Sequence, residues 1–338
     1  MLCSCGSRPD RTGARRPVTP PNERAAALML AEHAFAPATP GFVGAAVDVP
    51  MARPLEEGTR LRHGFLAPRS PGPGLGTVSG PPSPGLEVCI DRMADDLAAA
   101  GPVLDGVGDY GVRVALEAGL EGGGPLGLTR RWALAHTLAP VLAAAFANSP
   151  TLDGWRSGRQ ARHRHLPVLR AVADPRRSWA AYVLEQPGPF RGARHDHERP
   201  GLDDLARHVE ALTPPVAARG HLEIDVADRP PRDGWKVVVA VTAVLLDDPR
   251  AAAATEEITA PLAAEAGLWE RAARDGLSDP ALAVAARECF LQAYGTLARH
   301  GTGRDLRDQV AEFTEQYVMR GRCPADDVLE RTVRPARR

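Results

Sequence analysis

Two short stretches of this 338-residue chain concentrate side chains that could do chemistry. The first runs Phe146-Ala-Asn148-Ser149-Pro150 and then Gly154-Trp155-Arg156-Ser157-Gly158-Arg159-Gln160, just ahead of the charged run Arg162-His163-Arg164-His165. The second reads His221-Leu-Glu223-Ile-Asp225-Val-Ala-Asp228. A guanidinium is a planar fork that grips a carboxylate or phosphate at two points. Carboxylates supply the oxygen ligands that hard divalent cations prefer. Two plainer readings stand beside this one: Arg159 as an exposed loop arginine, and Glu223 as part of a solvated strand face.

The elements that must position these residues follow from apolar periodicity. Thr129 reads as an N-cap for a long Ala- and Leu-rich helix through Ala147, which the Asn148-Ser149-Pro150 break ends. In 221–226, Leu222, Ile224 and Val226 alternate with Glu223 and Asp225, the period of a strand with carboxylates on one face. Tyr110, Val112, Val114 and Leu116 alternate with Gly111, Arg113 and Ala115 in the same way. Residues 41–49 carry Val43, Val47 and Val49 among small residues and predict another strand. Pro20-Pro21 open a helix through about Phe35, and a further helix is expected over 87–100. Residues 53–86, with few apolar anchors and many Gly and Pro, predict a mobile loop. The run Trp235–Leu246 fits a buried strand or a buried helix equally well. Helices over about 250–274, 279–299, 303–320 and 324–331 complete the chain. The pattern is α+β with a helical C-terminal third.

Bulk properties narrow the partners. Formal charge is −1, so no global field recruits nucleic acid or an anionic membrane. Of the 41 basic residues only Lys236 is lysine. No apolar run is long enough to span a bilayer, and no signal-peptide pattern is visible, so a cytoplasmic protein is expected. Five scattered cysteines argue against a disulfide framework. Residues 1–18, rich in Arg, Pro, Ser and Gly, read as a disordered tail that includes Cys3-x-Cys5. Gly72-x-Gly74-x-Gly76 lacks the third spaced glycine of a dinucleotide loop and the Lys-Ser/Thr of a P-loop. His163-x-His165 and His195-x-His197 lie in Arg- and Pro-rich polar surroundings that do not favour a zinc site.

The order helix, Ala-Asn-Ser-Pro break, Gly-Trp-Arg-Ser-x-Arg-Gln resembles the plant-type glutamate–cysteine ligase family, in its ergothioneine-biosynthesis branch. Further matches are His208-Val-Glu-Ala-Leu-Thr-Pro-Pro215, Arg219-Gly-His221-Leu-Glu223, Gly267-Leu-Trp269-Glu-Arg271 and Arg320-Gly-Arg322-Cys323-Pro324. The resemblance is close over 127–331 and divergent over 19–126, the two parts forming one ligase-like domain. It implies the carboxylate–amine ligase (glutamine synthetase-like) fold, an antiparallel sheet curved into an active-site bowl and flanked by helices. It implies an ATP- and Mg2+-dependent ligase that makes γ-glutamylcysteine from glutamate and cysteine through an acyl phosphate. By the same resemblance Arg159 and Glu223 are catalytic. Asn148, Ser149, Trp155, Arg156, Arg159 and Gln160 bind substrate, and Glu223, Asp48 and Asp228 bind metal.

Several positions depart from the family pattern. Ala46 and Asp48 stand where the family has two glutamates, and Val49 replaces a tryptophan. Residues 74–78 carry no carboxylate where the family has a Glu-Pro-Gly-Gly-Gln-x-Glu segment. Arg113 and Ala115 replace two amides, and His163 stands in for a tryptophan. Asp225 occupies an arginine position, a charge inversion. These losses leave two alternatives open: a family member that binds without catalysing, or a ligase for a different amine.

Overall fold

The computed structural model describes residues 23–51, 57–69, 74–101, 108–166, 174–188 and 201–333. The expected tail over 1–18, the Pro20-Pro21 opening, Gly72 and the His195-x-His197 pair lie outside them.

The N-terminal part holds α1 (Glu23–His33), β1 (Phe42–Pro50), β2 (Thr59–Arg60), β3 (Phe65–Pro68), β4 (Leu75–Ser79), β5 (Ser83–Pro84) and α2 (Leu86–Ala99). The middle holds β6 (Gly111–Leu116), α3 (Leu128–Ala145), α4 (Gly158–Ala161), α5 (Pro175–Glu185), α6 (Leu202–Ala211), β7 (Val216–Ala218) and β8 (Leu222–Asp228). The remainder is helical: α7 (Gly234–Asp247), α8 (Pro249–Thr259), α9 (Leu268–Asp275), α10 (Pro280–Arg299), α11 (Arg304–Gln316) and α12 (Pro324–Val333). The α+β expectation, an antiparallel sheet flanked by helices with a helical C-terminal region, is met.

Among the described residues one sheet runs in the order β2-β3-β4-β1-β6-β8-β7, with β5 paired to the start of β1. All its pairings are antiparallel. Period-two alternation gives it two unlike faces. Val43, Ala45, Val47, Val112, Val114, Leu116, Leu222, Ile224 and Val226 are buried. That face packs on α2, α3 and α7. The other face carries Asp48, Thr77, Arg113, Glu223 and Asp225 over a floor of Gly44, Ala46 and Ala115, as the register shows. Of these small residues, Ala46 and Ala115 are the ones that the resemblance sets at a family glutamate and a family amide position.

A register shift between Val112 and Val114 breaks the alternation in β8. Val112 pairs with Ala227 and Val114 with Ile224, so two residues of β8 face one of β6. Such a bulge re-aims the side chains beyond it. Asp225 and Asp228, three residues apart, would point to opposite faces of a regular strand. The bulge lets both reach one partner.

Three expectations are corrected. The stretch 53–86, read as a loop, builds β2 to β5 across half of its described residues. Its apolar residues are few because the strands pack closely: a Cβ on Gly64 would lie 2.0 Å from the Ser79 carbonyl oxygen, and one on Gly76 would lie 2.9 Å from Leu66. Buried Asp96 of α2 fastens the β2–β3 hairpin by accepting the His63 and Gly64 amides at 3.0 and 2.7 Å. Secondly, α3 is capped by Gly127, and Thr129 already lies inside the helix. Thirdly, the helix expected over 250–274 is two helices, divided by a 3-10 turn at 260–264 that contains Pro261. Pro261 cannot continue the hydrogen-bond ladder, and Gly267 at φ 62° starts α9.

The ambiguous run Trp235–Leu246 is helical, and α7 buries every residue of it except Lys236. A helix apolar all round belongs in a core. Its C-terminal end is tied to α3 by the fully buried Arg131. That guanidinium donates to the Leu246 carbonyl, to the Glu117 carbonyl at 2.8 Å and to the Asp247 carboxylate at 2.7 Å. No described helix is long and apolar enough to cross a membrane.

Candidate active site

The Asn-Ser-Pro break and the short helix α4 fold back on each other as a small knot. Gly158 donates its amide to the Ser149 carbonyl at 2.8 Å. Ser157 caps α4, its hydroxyl accepting the Gln160 amide at 3.1 Å, and Ser149 Oγ accepts the Arg159 amide at 3.2 Å. This knot grips the end of β8. Asp228 Oδ2 accepts from the Asn148 amide and from Ser149 Oγ, both at 2.8 Å. Asn148 Nδ2 donates to the Arg229 carbonyl at 2.7 Å, and Gln160 Nε2 to the Asp225 carbonyl at 3.2 Å. Asn148, Ser149, Arg159, Gln160 and Asp228 are therefore brought together, all buried.

Arg159 lies at the centre. Its NH2 group donates to Asp225 Oδ1, and its NH1 group faces the Ala227 carbonyl at 3.4 Å and Asp228 Oδ1 at 3.8 Å. Nε points toward Asp109 Oδ1 at 3.9 Å. The guanidinium rests on the bare backbone of Gly111, where a Cβ would come within 2.5 Å of NH2. Burial pulls the Arg159 pKa down to about 10, against the opposing pull of Asp228 and Asp48. Burial likewise raises the pKa of Asp228, against Arg159 and the Asn148 and Ser149 hydrogen bonds. For both partners desolvation outweighs attraction, as is common for interior ion pairs.

Asp48 is also buried, and donors already meet both of its oxygens. Oδ1 accepts from Thr77 Oγ1 at 2.7 Å and lies 3.6 Å from Arg113; Oδ2 accepts the Gly111 amide and Arg69, each at 2.8 Å. Glu223 is half-buried and faces Arg219 at 3.6 Å. Trp155 and Arg156 turn elsewhere. Trp155 bonds Asp153 and stacks under Arg274, while Arg156 pairs with Asp326 of α12 at 2.7 Å.

Sequence reasoning missed Arg69, Thr77 and Gly111 as parts of this site. Gly111 opens a strand, where glycine is a known sign of close backbone approach. The other two give no local signal. A cleft of about 400 Å³ between α7, α11 and α12, lined by Arg232, Gln309, Glu312 and Tyr317, includes none of the expected residues.

A resident Mg2+ needs several oxygen ligands converging on one point. Among the described residues no three His, Cys, Asp or Glu side chains gather in this way. Asp48 and Asp228 already have arginine, hydroxyl and amide partners. The described residues do not fit a protein-held divalent cation.

His163, two residues beyond the knot's end, lies 6.4 Å from the Trp269 ring. Burial, together with Arg162 and Arg159, lowers its pKa from 6.5 to about 3. A group whose folded pKa is depressed leaves stability intact above the unfolded value and removes it as pH falls. Unfolding free energy should therefore decline as pH drops below 6.5 toward 3, with a shallower slope in His163→Phe. Urea melts of both proteins across that range test this, and parallel slopes would refute it.

The family model Glutamate-cysteine ligase family 2 (GCS2) matches residues 111–337. "Glutamate--cysteine ligase EgtA" of Mycobacterium tuberculosis is 32% identical over 253 residues, covering 65% of this chain and 56% of that protein. The protein of the same name from Mycolicibacterium smegmatis is 33% identical over 272 residues, covering 71% of this chain and 62% of that protein. The chain thus spans little more than half the length of these relatives. A bifunctional glutathione synthetase from Pasteurella multocida superposes with a TM-score of 0.48 at 12% identity, covering 90% of this chain and 51% of that one. Arg159, Asp225, Asp228 and the knot that holds them lie inside the matched segment, and this chain belongs to the glutamate-cysteine ligase family 2 (GCS2).

Proposed function

We propose that the chain joins glutamate to cysteine at the expense of ATP, forming γ-glutamylcysteine for ergothioneine biosynthesis. The observation that carries this reading is the buried Arg159, held at the end of the sheet's polar face within the family match. In the proposal Arg159 holds a glutamate carboxylate by two-point pairing. The γ-carboxylate oxygen attacks the terminal phosphorus of ATP and ADP departs, leaving an acyl phosphate. The cysteine amine then attacks the acyl carbon, the C–O bond breaks, and inorganic phosphate and a proton are released. Mg2+ enters as the counter-ion of ATP, part of that substrate. Glu223 is the polar-face carboxylate that our reading assigns to meet it. Asp48 is assigned instead to holding Arg69 and Arg113, and Asp228 to holding Arg159. Asn148, Ser149 and Gln160 shape the pocket through these contacts.

A second reading has its own support: the lack of a converging metal set among the described residues favours a family member that binds substrate without ligating it. Purified protein with ATP, Mg2+, glutamate and cysteine discriminates the two. The ligase reading expects ADP release and γ-glutamylcysteine by mass, with turnover at least about a hundredfold lower in Arg159→Lys, the usual scale for losing one charge-positioning group. A well-folded sample without turnover would sink the ligase reading in favour of the binding one. Product from other amines, but not cysteine, would identify a ligase of different specificity.

A further inference from the structure

We propose that Asp225 is an internal competitor for the carboxylate-binding edge of Arg159, and so sets how tightly an acidic substrate can bind there. The proposal rests on the reading of Arg159 as the substrate-carboxylate arginine.

The guanidinium offers three edges, and in this structure each one faces oxygen. Asp225 takes NH2, Ala227 and Asp228 face NH1, and Asp109 lies beyond Nε. A two-point grip on an incoming carboxylate needs two neighbouring N–H groups pointing the same way. One partner must therefore leave. Asp228 cannot: its side chain is 1% exposed, and the Asn148 amide and Ser149 hydroxyl fix its second oxygen. The Ala227 carbonyl is backbone within β8. Asp109, 56% exposed and 3.9 Å away, is bound chiefly by Arg162 at 2.9 and 3.1 Å and does not block the fork.

Asp225 differs from all of these. Its side chain is 12% exposed and stands on the polar face of β8, two residues from Glu223, where a rotamer change carries it off the guanidinium. The charge balance points the same way. Asp225 and Asp228 are the two carboxylates nearest the buried guanidinium, and Asp109 at its Nε side is shared with Arg162. A substrate carboxylate would add one more at close range, and like charges disfavour one another at such a site. Binding an acid therefore requires displacing Asp225, and the affinity carries that cost. Asp225 is thus the movable group that keeps the Arg159 fork occupied.

Calorimetric titration of the full chain with L-glutamate tests this, using Asp225→Asn and Asp225→Ser alone and each combined with Arg159→Lys. Thermal melts establish that each protein is folded, and the serine variant serves if the asparagine one is not. Glutamate should bind Asp225→Asn about tenfold or more tighter than the unaltered protein, the scale of one removed like charge. Adding Arg159→Lys should abolish that gain. Equal or weaker binding in both Asp225 variants, with binding still sensitive to Arg159→Lys, would overturn the competitor and leave the reading of Arg159 standing. Binding that ignores Arg159→Lys in every background, or is absent throughout, would overturn both.

Discussion

Arg159→Ala should cost about 3–5 kcal/mol of folding stability, the usual penalty for removing one partner of an interior ion pair. The loss arises less from the pair itself than from what stays behind. Asp228, already disfavoured as an anion by burial, would keep its two donors on Oδ2 but lose the Arg159 cation near Oδ1. Truncation would also leave a cavity above Gly111. If that account is right, Asp228→Asn should restore part of the stability in the Arg159→Ala background, because the amide needs no counter-charge and its oxygen still accepts from Asn148 and Ser149. Equilibrium urea unfolding of the single and double variants, read as a double-mutant cycle, measures the coupling. Strict additivity would mean that Arg159 and Asp228 are neighbours without a shared energetic role.

The second large effect is expected from adding a single methyl group. In Gly111→Ala the new Cβ would sit 2.5 Å from NH2 and 2.6 Å from Cζ of Arg159, far inside van der Waals contact. A side-chain end can often swing aside, but this one is held by Asp225 and closed in by buried surroundings. Relief must come from breaking that ion pair or lifting the start of β6, whose Gly111 amide also donates to Asp48. Overpacking of this kind costs about 1–3 kcal/mol, and the displaced guanidinium should abolish whatever glutamate binding the unaltered protein shows. Gly295→Ala is the matched control. It lies inside α10 with its nearest obstacle at 3.7 Å, so alanine there should stabilise by up to about 1 kcal/mol through helix propensity. Thermal melts and glutamate titration of both variants settle the contrast, and similar behaviour in the two would refute it.

Much of this architecture could be read in the sequence where a strong period sets one face against another. Strands β1, β6 and β8 and the helices α2, α3 and α10 stand within a few residues of where alternation and capping residues put them. The β3–β4 hairpin escaped because its signal is the absence of side chains. Gly64 and Gly76 are there for close packing, and composition reads the same glycines as loop. Helices α5 and α6 drew no expectation, although Asp174-Pro175 is a ready N-cap and first-turn pair.

At the site, the family resemblance picked out Asn148, Ser149, Arg159 and Gln160 for substrate and Asp228 for metal, and the structure brings these five side by side. The sequence could not show that Trp155 and Arg156 turn toward α9 and α12, since a short turn fixes direction through backbone angles that residue type does not specify. The charge inversion at Asp225 was visible as a letter. That it meets Arg159 depends on the β8 bulge, a feature of register between strands far apart in the chain.

That separation bears on how the protein is made. β6 and β8 are neighbours in the sheet, yet everything from α3 to β7 lies between them in sequence. Their pairing closes a very long loop, and contacts of that span are slow to form because the chain entropy is lost before any contact rewards it. On a ribosome, Arg159 emerges well before the two aspartates that will surround it. The hairpin of β2 and β3, fastened by Asp96 nearby in sequence, needs no such wait. The charged cluster is thus assembled last around a sheet edge that can form first, and a nascent chain cut short of Asp225 has the arginine without Asp225 and Asp228.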